Sequence, residues 1–236
     1  MNRFWDHAAV AVEADGYGIL LDGKPVRVPH GPPLLVPAAP LAQAIADEWQ
    51  AAGLASRKMH YSDVPLTRLA GTAQVRIVPD PGPTAAAIAA YGESDLLCYR
   101  ADSPRALADR QHAAWQPWLD WSRTELGAAM TITTGIIHVR QHPAALAALR
   151  AAVDAESSWV LAGLGIIVPA LGSLVLGLAV ARGASAAREA TALSMLDDIF
   201  QAELWGEDAE AAARRAHIEA DVAHAARFIA LCRGWS

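Results

Sequence analysis

The sequence predicts an α+β fold: a small α/β N-terminal domain with short strands and a hairpin, then a mainly α-helical domain. Three observations carry this. Two apolar runs within Tyr17–Val26 meet at Asp22-Gly23, a dipeptide that favours a two-residue hairpin turn. Pro25, Pro29, Pro32, Pro33 and Pro37 break the next stretch into extended pieces suited to edge strands and loops. Pro79-Asp80-Pro81-Gly82-Pro83 fits inside no regular element, and beyond it the chain turns Ala- and Leu-rich with helical periodicity. The expected domains are 1–80 and 84–236, with a linker around 79–83.

A helix from about Ala38 to Ala52 puts Leu41, Ile45, Glu48 and Trp49 at helical spacing. The next, from about Val64 to Val78, has Asp63 as its N-cap and Pro65 in its first turn. Ser103-Pro104 opens a helix reaching about Leu126, which carries Leu107, Gln111, Trp115, Trp118 and Trp121. Thr131–Val139 is rich in Ile, Thr and Val and reads as extended. Further helices are expected over about Pro143–Ala155, Ser185–Trp205 and Asp208–Leu231. Ser157–Ala181 carries no charge over about 25 residues, which is long enough to span a bilayer. Pro169, Gly172-Ser173 and the glycines Gly163, Gly165 and Gly177 favour a buried helical pair instead. Its first helix would end near Val168. Its second would run from Ser173, as cap, to Arg182, with Gly183 closing it. A membrane-anchored protein with a span at 157–181 stays open as an alternative.

Of the 236 residues, 53% are hydrophobic and 19% charged, which excludes general disorder. Nineteen Lys+Arg against 25 Asp+Glu leave a formal charge of −6, so no nucleic-acid partner is expected. Cys98 and Cys232 can build neither a disulfide framework nor a four-cysteine zinc site, which points to a reducing compartment. Met1-Asn2-Arg3-Phe4-Trp5-Asp6 shows neither a signal-peptide core nor an Arg/Ser-rich transit segment, so a cytoplasmic location is expected.

Enzymatic signatures are absent: no glycine-rich phosphate loop, no Gly-x-Ser-x-Gly elbow, no His-Glu-x-x-His. Gly163-Leu164-Gly165 lacks the third glycine and the preceding strand of a dinucleotide site. His138 and His142 are four apart, yet no Cys, Asp or Glu lies between Thr131 and Asp154 to complete a metal shell. His112, beside Arg110 and Gln111, has the chemistry of a general base but no nucleophile to serve. An enzyme built on these histidines is the remaining alternative, without a motif behind it; no cofactor or metal is expected. Cys98 sits among apolar residues and reads as a buried, inert thiol.

Two features stand out. Eight Trp accompany only three Phe, and Trp serves either helix cores or interfaces. Between Glu189 and Arg214 lie Asp197, Asp198, Glu203, Glu207, Asp208 and Glu210 without a single Lys or Arg. Leu193, Leu196, Phe200 and Leu204 give that helix an apolar stripe, which leaves the acids on its outer face. Such a run is either a solvated face or a docking site for an electropositive protein. Glu207 and Asp208 also stand where the last helix starts and its dipole favours anions.

Motifs spread along the chain resemble one family: Phe4-Trp5, Leu21-Asp22-Gly23-Lys24-Pro25-Val26, Ala46-Asp47-Glu48-Trp49 and Pro65-Leu66-Thr67-Arg68-Leu69-Ala70. Tyr91-Gly92-Glu93-Ser94-Asp95-Leu96-Leu97-Cys98-Tyr99-Arg100 comes next, then Arg110-Gln111 with Trp115 and Pro117, Gly172-Ser173-Leu174, and Gln201 with Trp205-Gly206. The resemblance is to the assembly chaperones that bind the alpha subunit of the F-type ATP synthase catalytic head. It implies a soluble, non-enzymatic protein, a small α/β domain followed by an orthogonal helical bundle, that holds newly made alpha subunit until the alpha/beta hexamer forms; the oligomeric state is left open, a monomer being favoured. It implies partner contact through Asp198, Glu203, Trp205, Glu207, Asp208 and Glu210. Asp22, Gly23, Trp49, Arg68, Asp95 and Arg100 are assigned to architecture, as turn, core and buried ion pairing. Gly71 and Gln74-Val75 depart from the family pattern after Leu69-Ala70.

Overall fold

Asp22 and Gly23 both take positive φ, 47° and 79°, the pattern of a type I′ hairpin turn. This turn joins β2 (Gly16–Leu21) to β3 (Lys24–Pro25), with Leu21 opposite Lys24. The computed structural model describes residues 2–234; Met1, Trp235 and Ser236 lie outside the described residues. Two units divide the chain: Met1–Pro81 with Ser158–Gly163 and Arg227–Ser236, and Gly82–Ser157 with Leu164–Ala226.

In the first unit β2 is the central strand. One edge pairs with β1 (Ala8–Glu13), a strand its alanine-rich sequence does not announce, and the other edge with β3 and β4 (Leu35–Val36). Helix α1 (Ala39–Ala51) packs on β1 and β2 and buries Leu41, Ile45 and Trp49. The next helical stretch is α2 (Pro65–Thr72), continued by a π-turn over Ala73–Ile77. Asp63 is not its N-cap: the Asp63 carboxylate instead accepts from the His60 N–H at 2.8 Å. Val64 takes the cap position. Glu48 supplies the missing acceptor from α1, taking the Leu66 and Thr67 N–H groups at 2.9 and 3.2 Å. Gln74 ties this stretch to the sheet, accepting from Leu35 N–H and donating to the Pro33 carbonyl. Within this unit the Ser158–Gly163 segment brings Trp159 to Phe228, ring centroids 6.4 Å apart.

The second unit opens with α3 (Gly82–Ala89), so Gly82 and Pro83 of the expected linker start a helix. Proline is tolerated there because the first-turn N–H groups have no intrahelical partner. Helix α4 (Arg105–Glu125) buries Leu107, Gln111, Trp115 and Leu119. Of the stretch expected to be extended, only Thr133–Thr134 forms a strand (β6), parallel to β5 (Tyr99–Arg100). After it come α5 (Pro143–Asp154), α6 (Ser158–Leu171) and α7 (Leu174–Ala181). Helix α6 runs through Pro169 to Leu171, past its expected end, because a proline so near the C-terminus forfeits only one late hydrogen bond. Ser173 caps α7, accepting from Leu176 N–H, and all eight residues of α7 are buried. Among the described residues no helix is long and apolar enough to cross a membrane. The helix expected over 185–205 is two, α8 (Ala187–Ser194) and α9 (Leu196–Trp205), broken at Met195. Helix α10 (Ala209–Cys232) completes the order.

Candidate functional site

The acidic stretch folds as α9, a turn at Gly206–Asp208 and the start of α10, all in the second unit. Asp197 and Asp198 occupy the first turn of α9, where the helix dipole favours anions. Gly206, with φ 92°, ends that helix, and Asp208 starts α10 by accepting from Ala211 N–H at 2.9 Å.

Arginines distant in sequence converge on these acids. Arg110 of α4 grips Glu203 with two N–H groups, one at 2.9 Å, and holds the Glu203 carboxyl below its ordinary range. Arg214 reaches Asp198 at 3.0 Å, Arg215 pairs with Glu207, and Gln111 donates to Asp197 at 2.7 Å. The surface is therefore mixed, although the intervening sequence shows no cation. The Arg110–Glu203 and Arg214–Asp198 pairs are exposed, and Arg215, 15% exposed, pairs with an open Glu207; ion pairs so accessible to water are weak, and exchanging one for an intermolecular pair costs little. Among the described residues Glu210 makes no ion pair, and Trp205 is 81% exposed beside the 58% exposed Leu204. Leu204 thus leaves the expected stripe, in which Leu196 and Phe200 are buried. The six predicted contact residues fall on one helix–turn–helix segment in three roles: Asp198, Glu203 and Glu207 ion-paired, Asp208 a cap, Trp205 and Glu210 exposed.

The residues assigned to architecture divide similarly. The Asp22 carboxylate accepts N–H groups from Asp6 and His7, the latter at 2.8 Å, and those bonds lower its pKa. Trp49 is buried, receives the Trp5 indole N–H on its carbonyl and donates its own to Thr67 Oγ1.

Asp95 and Arg100 are buried, but among the described residues neither forms the expected ion pair. Asp95 accepts from Leu97 N–H, the Ser173 hydroxyl and Val175 N–H at 3.0, 2.8 and 2.9 Å. The N-terminus of α7 supplies its compensating positive charge. Complete burial still raises its pKa, with those donors pulling the other way. Arg100 donates to the Gln111 carbonyl at 2.7 Å and lies 5.0 Å from the Trp115 ring centroid, a cation–π contact in place of a carboxylate.

Arg68 is a plain correction: it is exposed, belongs to no ion pair among the described residues and lines a cleft in the first unit. A charged side chain on the exposed face of α2 gains more from water than from an unpaired buried position.

The histidines have local roles. His138 Nδ1 meets the Tyr99 hydroxyl at 3.2 Å, and His142 caps α5 by accepting from Ala144 N–H. Burial pushes the Cys98 thiol up to about 12, which makes it inert at neutral pH. Sequence reasoning missed the cleft, and it missed a loop where Ile136 and Ile137 are 98% and 79% exposed. The absence of any acid between Val64 and Pro79, against Arg68 and Arg76, is the signal that could have found the cleft.

Comparison places these features among known proteins. The sequence profile of the ATP12 chaperone protein family matches residues 2–123. The chain is 26% identical over 216 residues to the mitochondrial protein atp12 of Schizosaccharomyces pombe, covering 87% of this chain and 74% of that one. Its structure is similar to the crystal structure of Atp12 from Paracoccus denitrificans, with TM-score 0.93, 43% identity and 98% of each chain covered. A candidate chaperone from Agrobacterium tumefaciens is similar with TM-score 0.89 and 38% identity, over 97% of this chain and 84% of that one.

Proposed function

Because the chain belongs to the ATP12 chaperone family, we propose that it is a non-enzymatic chaperone of ATP synthase assembly that binds the unassembled alpha subunit. It acts in the cytoplasm as a soluble protein. A subunit destined for a ring exposes apolar interface before its neighbours arrive, and that surface self-associates unless it is covered. Covering it needs no nucleotide and no covalent step.

The observation that carries this reading is the α9–α10 segment. An exposed Trp205–Leu204 pair stands next to carboxylates, and the arginine partners of Glu203 and Asp198 are themselves exposed. Aromatic anchors surrounded by exchangeable charge are how specific protein interfaces combine affinity with orientation. The segment would take an electropositive region of the client around an apolar contact.

Co-expression with the host's alpha subunit, followed by size-exclusion of the detergent-free soluble fraction, tests the proposal. Co-elution is expected, with alpha insoluble when expressed alone. Glu207→Lys with Glu210→Lys should weaken capture about tenfold or more with folding intact, since charge reversal sets like charges against the client and leaves Arg215 facing a lysine. If alpha stays insoluble and this chain elutes alone, the client assignment falls. Undiminished capture by the folded double variant removes the acidic segment from the interface.

A further inference from the structure

We propose that the cleft in the first unit binds an acidic polypeptide segment of the client, a reading that rests on the chaperone role proposed above. The cleft has a volume of about 440 Å³ and lies between the loop after β3 and the α2 stretch. Arg27, Arg68 and Arg76 project into its lining, all three exposed, and among the described residues no carboxylate lines it. None of the three belongs to an ion pair among the described residues. In a chain of formal charge −6 this is a local concentration of unmatched positive charge. Guanidinium groups left free in this way match carboxylates bidentately.

The walls decide what kind of anion fits. Val28, Leu34 and Trp49 give the cleft an apolar lining, and Tyr61 and Val75 stand at it 58% and 39% exposed. A bare phosphate would leave that surface wet. Nucleic acid needs a longer run of cations than three arginines on an otherwise acidic protein. A polypeptide carrying carboxylates on either side of an aliphatic or aromatic side chain satisfies both features. Arg68 and Arg76 are eight residues apart on one helical stretch whose second half is a π-turn of shorter rise, which puts them roughly 10–12 Å apart along the axis. An extended peptide at about 3.3 Å per residue spans that distance between residues three or four apart. The preferred segment thus has carboxylates at that spacing with the apolar side chain between them.

The test uses a fluorescein-labelled peptide, Asp-Glu-Leu-Phe-Glu-Glu, read by fluorescence polarisation against the full chain. Saturable binding is expected, weakened at least about tenfold by Arg68→Glu with Arg76→Glu. Both side chains are exposed, so the melting temperature should hold. Arg105→Glu with Arg188→Glu makes the same change of net charge outside the cleft and should leave binding unchanged. The proposal is overturned if the cleft variant binds the peptide like the parent, or if replacing Leu-Phe by Ser-Ser leaves the affinity unaltered. Tighter cleft-dependent binding of inorganic phosphate or a single-stranded oligonucleotide overturns it as well. Capture of alpha is scored separately. Capture without peptide binding removes the cleft and keeps the chaperone function; peptide binding without capture keeps the cleft as a peptide site and removes its assignment to this client.

Discussion

Asp22 carries two duties, and they separate experimentally. Its backbone sits at φ 47°, which Asn tolerates as well as Asp, while its carboxylate holds the Asp6 and His7 N–H groups. Asp22→Asn therefore keeps the turn and loses the charge. The folded-state pKa is depressed below 3.8, so the native state releases its proton before the unfolded chain does. That contribution is fully present above the unfolded value and is lost as pH falls through the native one. The expected result is a lower melting temperature for the variant at pH 7 and a gap that closes in acid. A gap independent of pH would assign the effect to the turn backbone. At this scale the sequence was legible where the chemistry is local. Asp22-Gly23 announced its own turn, but the partners of Glu203 and Asp198 come from 93 and 16 residues away in the chain. Asp95 and Arg100 are expected in buried ion pairing, and for the same reason the sequence does not disclose what they contact. Both are buried and of opposite sign, and only the structure shows that a helix end and an indole face take the partner's place.

Two glycines of the apolar helices make opposite demands on packing. A methyl group at Gly177 of α7 would overlap Val168 Cγ2 of α6, and Val168 Cα and Cβ stand 3.6 Å away. Valine in a helix has one strongly preferred rotamer, so it cannot swing aside. Around Gly165 of α6 a Cβ meets nothing within 4 Å among the described residues. Gly177→Ala should destabilise the protein by about 1–2 kcal/mol, overpacking outweighing the gain in helix propensity. Gly165→Ala should stabilise it by up to about 1 kcal/mol. Thermal unfolding checks both, at about 2–4 °C per kcal/mol for a chain of this size. Equal and stabilising effects would mean that α6 and α7 do not approach as closely as Gly177 requires. Element boundaries were readable where a cap or a first-turn proline marks them, as at Ser173 and Pro143, and failed where tertiary contact decides. Glu48 caps α2 from another helix, and the Met195 break splits what periodicity alone reads as one helix.

Across the whole molecule, the charge of −6 conceals opposite local fields: carboxylates around Trp205 in one unit and unmatched arginines in the cleft of the other. Average charge therefore says little about which partner surface is attracted, and each field acts only within its own screening distance. That distance is about 10 Å at 0.1 M salt and about 3 Å at 1 M. Steering by exposed charge acts on encounter, whereas desolvated apolar contacts govern how long a complex lasts. Binding to the proposed client, the alpha subunit, should accordingly show an association rate that falls steeply as salt rises, with a dissociation rate that changes little. Surface plasmon resonance across a salt series reads the two rates separately. Trp205→Ala, which deletes an exposed anchor and no charge, should do the reverse: faster dissociation with the salt dependence of association kept. If association is indifferent to salt, the carboxylates of α9 and α10 are a solvated face, and recognition must rest on exposed apolar residues such as Trp205, Leu204 and Ile136.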